Sequence, residues 1–262
     1  MTDVPGPNEL FDLTGQVALV TGASSGLGWR FAEVLSAYGA SVVLAARRVD
    51  RLEELKSRIV ANGGKAETVA LDVAEPDQVA PAFDAAEQTF GTVTLLVNNA
   101  GISGGKRALE MSREDWRSVL KVNLDGVWFV AQEAAQRMAA ADRPGSIINV
   151  ASLLGFRVAP TLSAYAVAKA GVVQMTAALA VELARHRIRV NAIAPGYILT
   201  EINREFFSSP KGEALIRTIP QRRIGEPGDL DGTLLLLASS RAGGFMTGST
   251  IVVDGGQMHA MG

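Results

Sequence analysis

Short runs of consecutive apolar, often β-branched residues alternate with longer stretches whose apolar positions recur at helical spacing, and the alternation persists to the C-terminus. Strands are predicted at Gln16–Thr21, Ser41–Ala45, Glu67–Leu71, Leu95–Asn98, Ser146–Val150, Arg189–Ile193 and Thr250–Val253. Helices are predicted between them, at Leu27–Tyr38, Arg51–Asn62, Pro76–Phe90, Ser112–Ala141, Ala164–His186 and Pro227–Ala238. Val42-Val43-Leu44 and Leu95-Leu96-Val97 are apolar on successive positions, the mark of strands covered on both faces. Repeated βα units with right-handed crossovers build an α/β fold: a Rossmann-type, doubly wound parallel sheet of about seven strands with helices on both faces.

No linker rich in Pro, Gly and Ser divides the 262 residues, and no repeat is evident. A single domain is expected over 13–262, after a polar N-terminal extension at 1–12. The stretch 200–220, with Phe206, Phe207, Pro210 and Pro220, is the least regular and follows a strand. A substrate lid is expected there, an ordinary connection being the alternative.

Composition narrows the chemistry. Apolar residues make up 48% of the chain, ample for a doubly covered sheet, and the net charge of −2 gives no sign of a nucleic-acid partner. There is no cysteine, and the two histidines, His186 and His259, lie far apart, so neither disulfides nor a Cys/His zinc site is expected. The first residues lack the basic start and apolar core of a signal peptide, and no uninterrupted apolar run approaches membrane-spanning length, so a cytoplasmic protein without a membrane partner is expected.

The first strand runs into Thr21-Gly22-Ala23-Ser24-Ser25-Gly26-Leu27-Gly28 and then a helix. Glycines let the backbone turn tightly against a pyrophosphate, while a helix N-terminus offers free N–H groups. The spacing is G-x-x-x-G-x-G, not the commoner G-x-G-x-x-G. After the second strand, a carboxylate would bind a ribose 2′-hydroxyl, and an arginine a 2′-phosphate. This chain has Ala46-Arg47-Arg48 there, which points to NADP(H), with NAD(H) as the alternative. The alternative is that both arginines are merely solvated residues at a helix start. The dipole does not favour them there, which tilts the reading towards a cofactor contact.

Tyr165 and Lys169 form Y-x-x-x-K on one face of a helix. Ser152 lies thirteen positions before Tyr165, at a strand end, and Asn123 and Asn98-Asn99-Ala100-Gly101 precede it. With the glycine turn, Asp72-Val73, Pro195-Gly196, Thr200 and Val253-Asp254-Gly255-Gly256, these motifs run in order from Val17 to Gly256. In them the chain resembles the compact single-domain branch of the short-chain dehydrogenase/reductase family. The resemblance implies hydride transfer between a nicotinamide and a carbonyl/secondary alcohol pair, with Asn123, Ser152, Tyr165 and Lys169 as the catalytic set. Tyr165 would be the general acid/base, its pKa near ~10 lowered by the Lys169 ammonium. Ser152 would hydrogen-bond the substrate oxygen, Lys169 the nicotinamide ribose, and Asn123 would hold a water linking Lys169 to solvent. The cofactor would lie on Gly22, Ser24, Ser25, Gly26, Leu27, Gly28, Arg47, Arg48, Asp72, Val73, Asn99, Ala100, Gly101, Tyr165, Lys169, Pro195, Gly196, Ile198 and Thr200. Asn191 and Asp254 look like structural supports.

A small-molecule substrate is expected among Ser103, Ser152, Leu153, Leu154, Tyr165, Tyr197, Phe206 and Phe207, a largely apolar set. Arg107, Arg157 and Arg204 are near enough in sequence to bind an acidic substrate, or are surface charges. The Tyr165 helix is apolar almost all round, which favours a subunit interface, and the family resemblance implies a homotetramer, with a dimer as the alternative. Competing readings are an NAD-dependent alcohol dehydrogenase, a nucleotide-sugar epimerase, for which little chain remains after Val253, and a non-catalytic NADP(H)-binding regulator, which would need no acid–base group.

Overall fold

The computed structural model describes residues 4–201 and 203–260. Positions 1–3 of the expected extension, 202 of the expected lid and 261–262 lie outside the described residues. In chain order the elements are α1 (Pro7–Leu10), β1 (Val17–Thr21), α2 (Gly26–Ala37), β2 (Ser41–Ala46), α3 (Val49–Ala61), β3 (Lys65–Ala70) and α4 (Val79–Phe90). Then follow β4 (Leu95–Asn98), α5 (Arg113–Leu120), α6 (Gly126–Ala140), β5 (Gly145–Val150), α7 (Ser163–Leu183) and β6 (Ile188–Pro195). Two short helices, α8 (Arg204–Phe207) and α9 (Pro210–Ile216), precede α10 (Asp231–Ala238) and β7 (Thr250–Val253).

All seven strands run parallel, in the order β3-β2-β1-β4-β5-β6-β7. The continuous apolar runs have the predicted consequence, since alternate residues of one strand feed two separate cores. Ala18 and Val20 of β1 face Phe31, Leu35, Leu55 and Leu234, whereas Val17 and Leu19 face Phe83, Val130, Met138 and Leu179. Strand order reverses between β1 and β4, and in such sheets ligands bind in the crevice beyond the strand ends at that point.

Two predicted elements differ. The single helix expected over Ser112–Ala141 is two helices joined by a π turn, Lys121–Asp125. The irregular stretch at 200–220 contains α8 and α9, each too short for periodicity to show. The segment Ser163–His186 is, by length and composition, apolar enough to cross a membrane, although no uninterrupted apolar run reaches that length. It packs along β6 and carries Lys169 fully inward.

Candidate active site

The glycine turn follows β1 directly. Gly22 (φ +68°) and Gly26 (φ +56°) occupy the left-handed region that side chains resist. Gly28 is needed for space instead: a Cβ there would strike the Gly22 carbonyl and the Asn99 amide. Thr21 braces the turn from below, its Oγ1 accepting the N–H groups of Asn99 and Ala100 at 3.0 Å each. Asn99 adds a bond from Nδ2 to the Thr21 carbonyl at 3.0 Å. Ser25 sits at the N-cap of α2 but makes no side-chain cap. Its hydroxyl is engaged by Arg48 Nη2 at 2.8 Å, and the same nitrogen reaches Ser24 Oγ at 3.0 Å. The first N–H groups of α2 thus remain for a ligand.

A groove of about 420 Å³ opens at this turn. It is lined by Gly22, Ser24, Ser25, Gly26, Leu27, Arg47, Arg48, Asp72, Val73, Asn99, Ala100, Gly101 and Thr200, all expected from sequence. Ala46, Leu71, Ile102 and Val122 also line it and were not expected; as single apolar residues they carried no signal of their own. Six expected contacts lie outside this groove. Gly28 is buried against the turn, Tyr165, Pro195 and Gly196 line a neighbouring cavity, Lys169 is buried on the Val150 carbonyl, and Ile198 is buried where it bridges to Gly225. Arg47, mostly solvent-exposed, stands 3.7 Å from Asp72. Arg48 is the arginine tied into the turn.

The neighbouring cavity, about 180 Å³, is walled by Ser103, Ser152, Leu153, Leu154, Leu162, Tyr165, Pro195, Gly196 and Tyr197. Groove and cavity meet in sequence at Ile102 and Ser103. Phe206 and Phe207 are absent from this lining, contrary to expectation. Phe206 is about half exposed (47%), and Phe207 is buried edge-on to Tyr197, ring centroids 5.6 Å apart, so it backs the wall without forming it.

Ser152 caps the short helical turn Leu153–Gly155, its Oγ accepting the Leu154 N–H at 3.1 Å. That leaves its hydroxyl proton free to donate. Tyr165 and Lys169 lie a turn apart on α7, with Nζ 5.7 Å from the ring centre. Lys169 is buried (3% exposed) and donates to the Val150 carbonyl at 2.6 Å. Burial pushes the Lys169 ammonium down to about 8. Burial also pushes the Tyr165 phenol up, a hydrogen bond with Ser152 opposing it in part. The phenol is therefore raised in the protein alone, contrary to the expected lowering by Lys169; burial outweighs the Ser152 hydrogen bond. Asn123, fully buried in the π turn, spends its amide on one residue: Oδ1 accepts the Ile102 N–H at 2.8 Å and Nδ2 donates to the Ile102 carbonyl at 2.7 Å. It clamps the loop that joins groove to cavity.

Comparison with known proteins agrees with this geometry. The family model described as enoyl-(acyl carrier protein) reductase matches residues 22–258. A curated 3-oxoacyl-[acyl-carrier-protein] reductase from Synechocystis is 38% identical over 94% of this chain and 98% of its own. A crystal structure of a short-chain type dehydrogenase/reductase from Mycobacterium marinum superposes with a TM-score of 0.90 at 41% identity, covering 95% of this chain and 98% of that one. The chain belongs to the short-chain dehydrogenase/reductase family. A further similar structure is a gluconate 5-dehydrogenase from Burkholderia cenocepacia in complex with NADP and tartrate, with a TM-score of 0.92 at 36% identity over 98% of this chain and all of that one.

Within this short-chain dehydrogenase/reductase, a buried ladder ties α7 to the sheet. Asn98 Nδ2 donates to Asn149 Oδ1 at 3.1 Å, Asn149 Nδ2 to Thr176 Oγ1 at 3.0 Å, and Thr176 Oγ1 to the Val172 carbonyl at 2.8 Å. Asn149 and Thr176 were not predicted, although a polar pair at strand and helix positions that must be buried was a usable signal. Asn191 and Asp254 act as supports, as expected. Asn191 bridges the Met246 carbonyl and the Ser249 N–H, and Asp254 accepts from the N–H groups of Gly256 and Met258.

Proposed function

We propose that this chain is an NADP(H)-dependent oxidoreductase acting on a carbonyl/secondary alcohol pair, with Tyr165 as the general acid/base. The observation that carries the reading is the convergence of the Ser152 hydroxyl, the Tyr165 phenol and the buried Lys169 beside a phosphate-binding groove. The groove fits the cofactor: it combines uncapped N–H groups at α2, glycines where bulk would intrude, and a guanidinium held by two serine hydroxyls. Arg48 and Arg47 would hold the 2′-phosphate. No carboxylate follows β2 directly to take a 2′-hydroxyl, so NAD(H) is the second reading.

When bound, the nicotinamide supplies or accepts the hydride. Ser152 donates its hydroxyl proton in a hydrogen bond to the substrate oxygen and stabilises negative charge developing there. Tyr165, kept protonated by burial, gives its proton to that oxygen in reduction and takes it back in oxidation. Lys169, charged below about pH 8, favours the phenolate left behind, and the Val150 carbonyl fixes its ammonium. Asn123 positions the loop beneath the reacting groups; the family resemblance adds a water there that returns the proton from solvent.

The segment 200–220 is assigned as the lid. Thr200 lines the groove, Phe207 packs on the cavity residue Tyr197, and Asn203 pins the entry by accepting the Thr200 N–H and donating to the Ile198 carbonyl, each at 2.8 Å. A homotetramer is supported by the apolar residues that α6 and α7 leave in solvent, Trp128, Val167 and Val181. Spectrophotometric assay of nicotinamide oxidation with a panel of ketones and aldehydes tests the activity. NADPH consumption is expected, and its absence across the panel, with NADH inert as well, would refute the reading.

A further inference from the structure

None of the nine side chains or backbone segments walling the substrate cavity carries a charge. Leu153, Leu154, Leu162 and Pro195 supply apolar surface, and among the described lining residues Ser103 and Tyr197 are the only ones with polar side chains beyond Ser152 and Tyr165. The cations that an acidic substrate would need are committed elsewhere. Lys169 is buried on the Val150 carbonyl. Arg157 donates from Nη1 to the carbonyls of Gln257 and Ala260, holding the C-terminal segment in place. Arg204 belongs to a separate cleft with Trp29 and Arg51, and Arg107 is exposed and outside the lining. A carboxylate entering the cavity would therefore lose hydration without gaining a counter-charge, and a chain of hydroxyls would find few partners.

We propose that the substrate is a neutral ketone with apolar substituents, or the matching secondary alcohol, and that sugar acids and polyhydroxy ketones are poor substrates. This assignment rests on the hydride-transfer reading above. In reduction the ketone carbon gains a hydride from NADPH, the carbonyl π pair moves to oxygen, and that oxygen gains the Tyr165 proton. The products are the alcohol and NADP+, and Tyr165 recovers its proton from solvent.

The test compares kcat/KM, with saturating NADPH, for 4-methylcyclohexanone and 2-octanone against 5-keto-D-gluconate and L-sorbose. The apolar ketones are expected to be favoured by about 100-fold or more, a margin set by burying unpaired polar groups. Equal or better turnover of 5-keto-D-gluconate or L-sorbose would overturn the proposal and leave hydride transfer standing. Failure of all four, with NADPH binding intact, would overturn the assignment together with the reading beneath it. Binding gives an independent readout: 4-methylcyclohexanol, and not gluconate, is expected to raise the Tm of the protein loaded with NADP+, and the reverse order would contradict the proposal. Leu154→Arg, which adds a cation to the wall, is expected to shift the preference towards 5-keto-D-gluconate by about 10-fold or more; an unchanged ratio in a folded variant would argue against this wall as the selector.

Discussion

At neutral pH the Lys169 ammonium is held almost out of water, with the Val150 carbonyl at 2.6 Å, and burial lowers its pKa to about 8. The charged form is thus present below about pH 8 and is lost above it. Without that charge the Tyr165 phenol becomes a still weaker acid, so NADPH-dependent ketone reduction is expected to fall as pH rises through about 8. A kcat/KM profile flat up to the ordinary lysine value, about 10.4, would contradict this. Lys169→Arg, which keeps its charge throughout, is expected to lose the fall in whatever turnover it retains. At the other end of the groove, Arg48 bonds both serines of the glycine turn, while Arg47 is mostly exposed. Arg48→Ala is expected to weaken NADPH binding about 10- to 100-fold with little effect on NADH, the range for a lost charge-assisted hydrogen bond. Fluorescence titration with the two cofactors measures it, and equal weakening of both would speak against a 2′-phosphate contact.

The elements hold these residues in register. Helix α7 bears Tyr165 and Lys169, and the Asn98–Asn149–Thr176 ladder fastens it to β4 and β5. Asn149→Ala would leave buried amide and hydroxyl groups unpaired and is expected to cost about 1–3 kcal/mol of stability, read from urea denaturation. A loss within about 0.5 kcal/mol, the range of an ordinary surface substitution, would mean that the ladder is not what fixes the helix. Strand positions were most legible where burial on both faces leaves an unbroken apolar signature: Leu95–Asn98 forms as predicted. Edge strand β3 was placed two residues late because its burial is partial and its Lys65 start is exposed. The π turn at Lys121–Asp125 was invisible, since one extra residue hardly disturbs helical periodicity over so short a span. For the same reason of scale, the Asn123 clamp on Ile102 could not be read: the partners are 21 positions apart, and only the folded chain brings them together. The glycine turn and the Tyr165/Lys169 pair were legible because their partners are local. Phe206 and Phe207 were misplaced because nearness in sequence says nothing about which way a side chain of the 200–220 segment faces.

Across the whole molecule, one feature of topology gathers the parts. Reversal of strand order between β1 and β4 opens the crevice into which the glycine turn, Asn99–Gly101 and Thr200 converge. The exposed Trp128, Val167 and Val181 predict association through α6 and α7, and light scattering after size exclusion is expected to give a tetramer mass. A monomer at every concentration would contradict that. Steady-state and binding measurements on Tyr165→Phe test most directly the proposed delivery of the proton by the Tyr165 hydroxyl, in a reaction whose hydride a bound nicotinamide would supply. Ketone reduction is expected to fall by about 10³-fold or more, within the range for loss of a general acid, while the Kd for NADPH stays within about threefold of the parent. Turnover within about tenfold of the parent would contradict the account.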